Sequence, residues 1–433
     1  MKKNQKEVDI FFIKKVIYSL RKHKLLIFQK VLFRLFFVLK NKLDSVLYIL
    51  FFDKEKLKLI FNNEYSFIDF SCGKLQWEGI LVQRYKQLAL QFSELGGLVF
   101  AGSLPHVDKV RYIKKINDNL FIVNPFIRPL LNDLMRLCKE SGRPVLARVQ
   151  STDFSISLSQ IDEWSNLGFT ILYEYIDPFH EDISGPVPPS IYERHRHILR
   201  DEKVYVCATA DSLLRELLEE RKNTFLSPNG VDPFHWKKPD DHKVKKIIVN
   251  KDCETRLRRG LPVIGYHGAL AKWINYELLD AIAKTGRFTI LLIGTEYDDS
   301  LQKSRLLSRE NVCFLGPLTY EDLPAFAAAY DLSIIPFTFT TFSDGVSPIK
   351  LFEYMAIEKP IVGTYSKELE KYRSCLTAKS IEEFIKKLDI ALDLKNDASY
   401  LHTLRTECEM NTWKKRAQEI LKNCHIDEVN SKR

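Results

Sequence analysis

The sequence predicts an α/β protein with two doubly wound, parallel-sheet lobes behind a basic helical extension. Three observations predict it. From about residue 65 onward, short β-branched or aromatic runs alternate with amphipathic stretches of helical period, the pattern of strand–helix–strand units. The 433 residues exceed what one ordinary core organises. Net positive charge is confined to the start: residues 1–62 carry 15 Lys and Arg against 5 Asp and Glu, and the rest holds 50 against 51.

Composition removes several classes. Apolar residues at 45% and charged residues at 28% give a soluble globular balance, and 17 Gly with 17 Pro are too few for a collagen-like or low-complexity chain. The eight cysteines contain no Cys-x-x-Cys pair, which argues against a zinc knuckle. Their dispersion, with no apolar leader and cleavage site, reads as free thiols in a cytoplasmic protein.

The extension, residues 1–63, is expected to be helical. Phe28, Val31, Leu32, Leu35, Phe36, Leu39, Leu43, Val46, Leu47 and Leu50 follow helical spacing on one face. The longest charge-free run there, residues 45–52, is far short of the ~20 residues that span a bilayer. Residues 8–52 suit either an interfacial helix, with Lys30, Arg34, Lys40 and Lys42 on anionic lipid, or a hairpin packed on the body or a second subunit. The interleaved residues are mostly aliphatic and would not stack on bases, so no nucleic-acid partner is expected.

Residues 64–238 form the first Rossmann-like lobe. Strands are expected at 66–72, 98–101, 120–123, 145–149, 170–175, 204–207 and 224–226, with helices between them. Three strand tips carry polar groups: the loop holding Trp77, with Arg84 beyond it; Asp153 after Val149; and Asp177 and His180 after Tyr175. Ligands of open α/β sheets bind beyond such tips, and an acid there could take a proton from an acceptor hydroxyl. Asp177 could equally cap a turn with Pro178.

Residues 239–405 form the second lobe, opening on a charged segment, Asp240–Gly260, that suits a linker or an exposed first segment. The strand Pro262–Tyr266 runs into His267-Gly268-Ala269, where a glycine lets backbone approach a phosphate. The dense segment is Ser347-Pro348-Ile349-Lys350-Leu351-Phe352-Glu353. Free amides at the start of this helix suit a diphosphate, and Glu353 could accept ribose hydroxyls. The bland alternative is a capped helix with a surface Lys350–Glu353 pair.

These segments in this order resemble the GT-B glycosyltransferases, closest to the family-4-like group with teichuronic-acid-type enzymes of bacterial surface polysaccharide synthesis. The resemblance covers about residues 66–422 and rests on Gln83–Ala89, Tyr173–Asp177, Ser227–Asp232, Gly265–Ala269, Asn311–Gly316 and Ser347–Ala356. It implies a nucleotide-sugar donor held by Glu353 at the ribose, by Ser347, Pro348, Ile349, Lys350, His267 and Gly268 at the diphosphate, with Lys272 nearby, and by Leu315 and Gly316 near the base. It implies Asp177 and His180 as the catalytic side, with Trp77, Arg84 and Asp153 toward a saccharide or polyprenyl-linked acceptor. Residues 406–433 look like the family's closing helix, returning to the first lobe. Two positions depart from the pattern: Gly345 stands where many relatives have a second Glu, and Pro178 follows Asp177 where a second Asp is common.

The sequence contains no Asp-x-Asp, so transfer is expected to need no metal and no cofactor, with amides and Lys350 or Lys272 meeting the leaving diphosphate. The resemblance leans toward retention. The competing readings are a nucleotide-sugar epimerase of the same build and an inactive binding module; no Gly-x-Gly-x-x-Gly follows either first strand, which argues against a dehydrogenase.

Overall fold

The computed structural model describes residues 32–33, 35–79, 82–180, 187–237, 251–257, 260–339 and 344–427. Residues 1–31 and Arg34 of the expected extension, and 240–250 and 258–259 of the expected charged segment, lie outside the described residues.

The N-lobe holds β1 (Phe67–Ser71), β2 (Gly97–Gly102), β3 (Ile113–Asn117), β4 (Leu120–Val123), β5 (Val145–Gln150), β6 (Thr170–Tyr175), β7 (Tyr205–Ala208) and β8 (Thr224–Leu226). They lie in the order β3-β4-β2-β1-β5-β6-β7-β8. Every pairing is parallel except β3 with β4. Helices cover both faces, so central strands such as β2 and β4 are apolar and buried throughout. The sequence reading missed β3: its Ile-Lys-Lys-Ile-Asn run is half-exposed at the sheet edge, where lysines discourage further pairing.

The C-lobe holds β9 (Val263–His267), β10 (Thr289–Ile293), β11 (Val312–Phe314), β12 (Leu332–Ile335), β13 (Ile361–Thr364) and β14 (Cys375–Ala378). Their order is β11-β10-β9-β12-β13-β14, with every pairing parallel. The order reverses between β1 and β5 in one lobe and between β9 and β12 in the other, which opens a crevice at each switch point.

Three expectations are corrected. Lys251–Leu257, read as part of a linker or an exposed first segment, is a helix against β11, where the Arg256 guanidinium donates to the carbonyls of Arg309 and Val312. Cys253 and Cys313 are joined in a disulfide, against the expectation of eight free thiols; the other six cysteines are free and buried. The return to the N-lobe comes later than residue 406. The helix Ala398–Met410 still packs on the C-lobe helix Ile349–Ala356. The chain crosses at Asn411–Thr412, where Val231 N–H donates to Asn411 O at 3.0 Å and Trp413 N–H donates to Val231 O at 3.0 Å. The helix Trp413–Asn423 then buries Trp413 in the N-lobe core beside Leu88 and Phe92.

Of the extension, a helix over residues 35–51 docks on the edge of the N-lobe. Tyr48 Oη donates to Asp133 at 2.9 Å, and Arg111 Nε donates to Asp44 at 2.9 Å.

A cleft between the lobes as the candidate active site

Both switch points open on one cavity of about 930 Å³. Its N-lobe wall comes from the loop after β1 (Leu75, Gln76, Gly79), from Gln83–Tyr85, from Gln150 and Thr152 after β5, and from Asp177 after β6. Its C-lobe wall comes from Tyr266–Ala269 after β9, from Gly294 and Thr295 after β10, and from Val346–Lys350 with Glu353.

The C-lobe wall is built on two glycines. Gly268 and Gly294 have φ of +138° and +146°, values that L side chains rarely adopt. Gly268 N–H donates to Ile293 O at 2.9 Å, and a Cβ on Gly294 would stand 1.8 Å from Gly268 O. Only glycine lets the β9 and β10 tips close on each other this tightly.

Facing them is the start of the helix Ile349–Ala356. Pro348 is its N-cap, and no side chain caps its first amides. The positive end of the helix dipole therefore opens on the cavity. Lys350 leans over Gly268, with Nζ 5.5 Å from the Tyr266 ring centre and 5.2 Å from that of Phe337. Burial lowers its pKa to about 8, with Glu353 pulling the other way.

Lys350 forms no ion pair with Glu353, so the reading of a surface pair is corrected. Glu353 Oε2 instead lies 2.8 Å from His267 Nε2. The His267 ring is stacked on Trp236 at 5.1 Å, and its backbone N–H donates to Tyr354 Oη at 3.2 Å. A carboxylate on Nε2 holds the proton there, which leaves the buried, unpartnered Nδ1 as an acceptor.

The N-lobe places its predicted residues differently. Asp177 lines the cavity, and burial raises its pKa to about 6. His180, three residues on, is not among the lining residues. Arg84 lines the cavity, but each of its three guanidinium nitrogens is engaged: Nε donates to Glu174 at 2.9 Å, Nη1 to Pro228 O at 3.0 Å and Nη2 to Ser227 Oγ at 2.8 Å. Behind it, Arg148 grips Asp69 at 2.7 and 3.0 Å and Glu174 at 3.3 Å. Burial raises the pKa of Asp69 against the pull of one guanidinium, whereas two guanidiniums outweigh burial at Glu174 and lower it.

Trp77 and Asp153, expected toward the acceptor, turn inward. Trp77 is in the N-lobe core with its backbone N–H on the Asp108 carboxylate, and Asp153 accepts from Ser155 and fills the space beside Gly73. Lys272 is on the cavity wall. Leu315 and Gly316 follow β11 and are not among the lining residues; Gly316 O accepts from Gly294 N–H at 2.9 Å.

Two features were not foreseen. Asn229 reaches across the lobes: its Nδ2 donates to Ser347 O at 2.6 Å and its N–H to Ser347 Oγ at 3.3 Å, which fixes the residue preceding Pro348. The two departures from the family pattern also meet. A Cβ on Gly345 would stand 2.9 Å from Pro178 Cγ, so the small residue in one lobe makes room for the ring in the other.

Residues 261–393 match the family described as glycosyl transferases group 1. The C-lobe is a group 1 glycosyl transferase domain. The chain is 23% identical over 289 residues to a protein of Bacillus subtilis (strain 168) named as the teichuronic acid biosynthesis glycosyltransferase TuaH, covering 61% of this chain and 68% of that one. HepE of Anabaena, solved in complex with UDP, superposes with a TM-score of 0.60 at 14% identity, covering 82% of this chain and 98% of that one. The sucrose-phosphate synthase of Thermosynechococcus elongatus superposes with a TM-score of 0.59 at 14% identity, covering 82% and 97%. The two-lobed glycosyl transferase fold is therefore GT-B, as the ordered motifs implied.

Proposed function

We propose that this GT-B chain transfers a sugar from a nucleotide-sugar donor to a saccharide or lipid-linked saccharide acceptor in bacterial surface polysaccharide synthesis, without a metal. The observation that carries the reading is convergence on one wall. The uncapped helix start at Pro348, the Lys350 ammonium, the Gly268 turn and the His267–Glu353 pair all line the same cavity.

Departure of a nucleoside diphosphate builds negative charge on its outer phosphate. Helix amides and one lysine in a partly dry site can meet that charge without reorganising. Glu353, with His267 fixing its orientation, is the candidate partner for ribose hydroxyls. Asp177, across the cavity on the N-lobe, is the candidate group facing the transferred sugar, and retention at the anomeric carbon is the expected outcome. The likeness to TuaH supports the polysaccharide setting, and the UDP complex of HepE makes UDP-sugars the first donors to try.

The test is a thermal-shift panel of UDP, GDP and TDP sugars on the wild type and on Glu353→Ala, with and without chelator. One nucleotide class should raise the melting temperature of the wild type but not of the variant, and chelator should change nothing. Stabilisation by no nucleotide would overturn the donor reading; a reversible loss with chelator would overturn the metal-free one.

A further inference from the structure

The helix over residues 35–51 is inside out. A helix on a soluble lobe turns its apolar stripe to the core and its polar face to water. Here the inward face carries Asn41, Asp44 and Tyr48, buried and hydrogen-bonded to the lobe edge, with Asn124 Nδ2 donating to Asn41 Oδ1 at 3.4 Å. The outward face carries Leu35, Leu39, Leu43, Val46 and Leu50, which are 51–65% exposed, with Phe36 beside them at 66%. At 100° per residue these six fall within one arc, so they form a continuous stripe and not scattered exposed residues.

Its charge selects the occupant. Lys40, Lys42, Lys54, Lys56 and Lys58 are all exposed on or beside this helix, within a segment whose 15 basic residues oppose 5 acidic ones. An exposed apolar stripe with flanking lysines matches an anionic bilayer surface, which takes up the stripe and attracts the ammonium groups. Among the described residues no helix is long and apolar enough to cross a membrane, so the contact is lateral. The helix also leads to the cleft. Phe37 packs edge-on against Phe126 at 4.8 Å, Lys74 Nζ lies 4.4 Å from the centre of the same Phe126 ring, and Leu75 and Gln76 follow on the cavity wall.

We propose that the apolar stripe from Leu35 to Leu50 docks this chain laterally on an anionic bilayer, with the N-lobe rim of the cleft next to the lipid surface. The test uses the full chain in co-sedimentation with phosphatidylcholine vesicles, with and without phosphatidylglycerol, and compares the wild type with Leu39→Glu/Leu43→Glu/Leu50→Glu. The three positions are solvent-facing, so the variant should keep its melting temperature and its nucleotide binding.

The wild type should bind phosphatidylglycerol vesicles about tenfold more tightly than pure phosphatidylcholine, and the triple variant should lose about tenfold of that binding. Salt at about 0.5 M should weaken the wild type, because exposed charges are screened. Equal vesicle binding by both proteins would overturn the proposal. So would a wild type that ignores vesicles, whether it is a dimer that the triple variant disperses or a monomer whose own residues 1–31 cover the stripe. Nucleotide binding is read in the same samples, so failure here is distinguishable from failure of the glycosyltransferase reading.

Discussion

The two lobes present opposite chemistry to the cleft they share. Under the N-lobe wall, Asp69, Arg148, Glu174 and Arg84 are buried and pair with one another, and Arg84 also donates to Ser227 and Pro228. On the C-lobe wall the donors are left open: the Lys350 ammonium and the first amides of the helix Ile349–Ala356. A wall whose charges are paired internally gives shape and rigidity. A wall whose charges are unpaired gives affinity for an anion. The difference supports the proposal that the C-lobe holds the diphosphate while the N-lobe supplies stiffness, and each half of that statement can be broken separately.

The largest effect is expected at the paired side. Glu174→Ala leaves the buried Arg84 guanidinium without a carboxylate and Arg148 with Asp69 alone, and removing one member of a buried ion network costs about 3–5 kcal/mol. Urea unfolding measures it, and a loss under 1 kcal/mol would mean that the network contributes little. Next is the unpaired side. Lys350→Met removes an ammonium whose burial already disfavours its charge, so stability should hold while UDP affinity falls by about 10–100-fold, the worth of about 1.5–3 kcal/mol for a charge-assisted contact. Calorimetric titration reads the affinity, and an unchanged value would remove Lys350 from the diphosphate site.

Gly294→Ala should cost about 1–3 kcal/mol by forcing the β9 and β10 tips apart, with weaker nucleotide binding at unchanged N-lobe contacts. Thermal melts with and without nucleotide separate the two losses. The smallest effect is a pH limb. The Asp177 pKa is raised to about 6, so the group is ionised above that pH and protonated below it. Transfer that needs the carboxylate should fall about tenfold between pH 7 and pH 5. Asp177→Asn should abolish that limb as well as lowering the rate, and a limb that survives in the variant belongs to another group.

Much of this fold was legible because strand and helix differ in period. β4, β6 and β8 were read to the residue, since each is a short apolar or β-branched run between polar or glycine breaks. β3 and β14 were missed because half-exposed edge strands carry lysine or threonine where the apolar signal should be. In the site, the segment from Ser347 to Glu353 was legible because helix geometry alone decides which end its amides face. Trp77 and Asp153 were not. A strand tip says where a loop begins, but packing decides which of its side chains turn inward. Asn229 and the Cys253–Cys313 pair depend on partners 118 and 60 residues away, a distance at which local pattern carries no information.

The crossing at Asn411–Thr412 also sets an order of assembly. Trp413, Ala417, Ile420 and Leu421 belong to the N-lobe core, yet they leave the ribosome after the whole C-lobe has been made. The lobe synthesised first is therefore completed last. Until residues 413–421 arrive, Leu88 and Phe92 lack their cover, and the nascent N-lobe displays an apolar surface for a chaperone to shield.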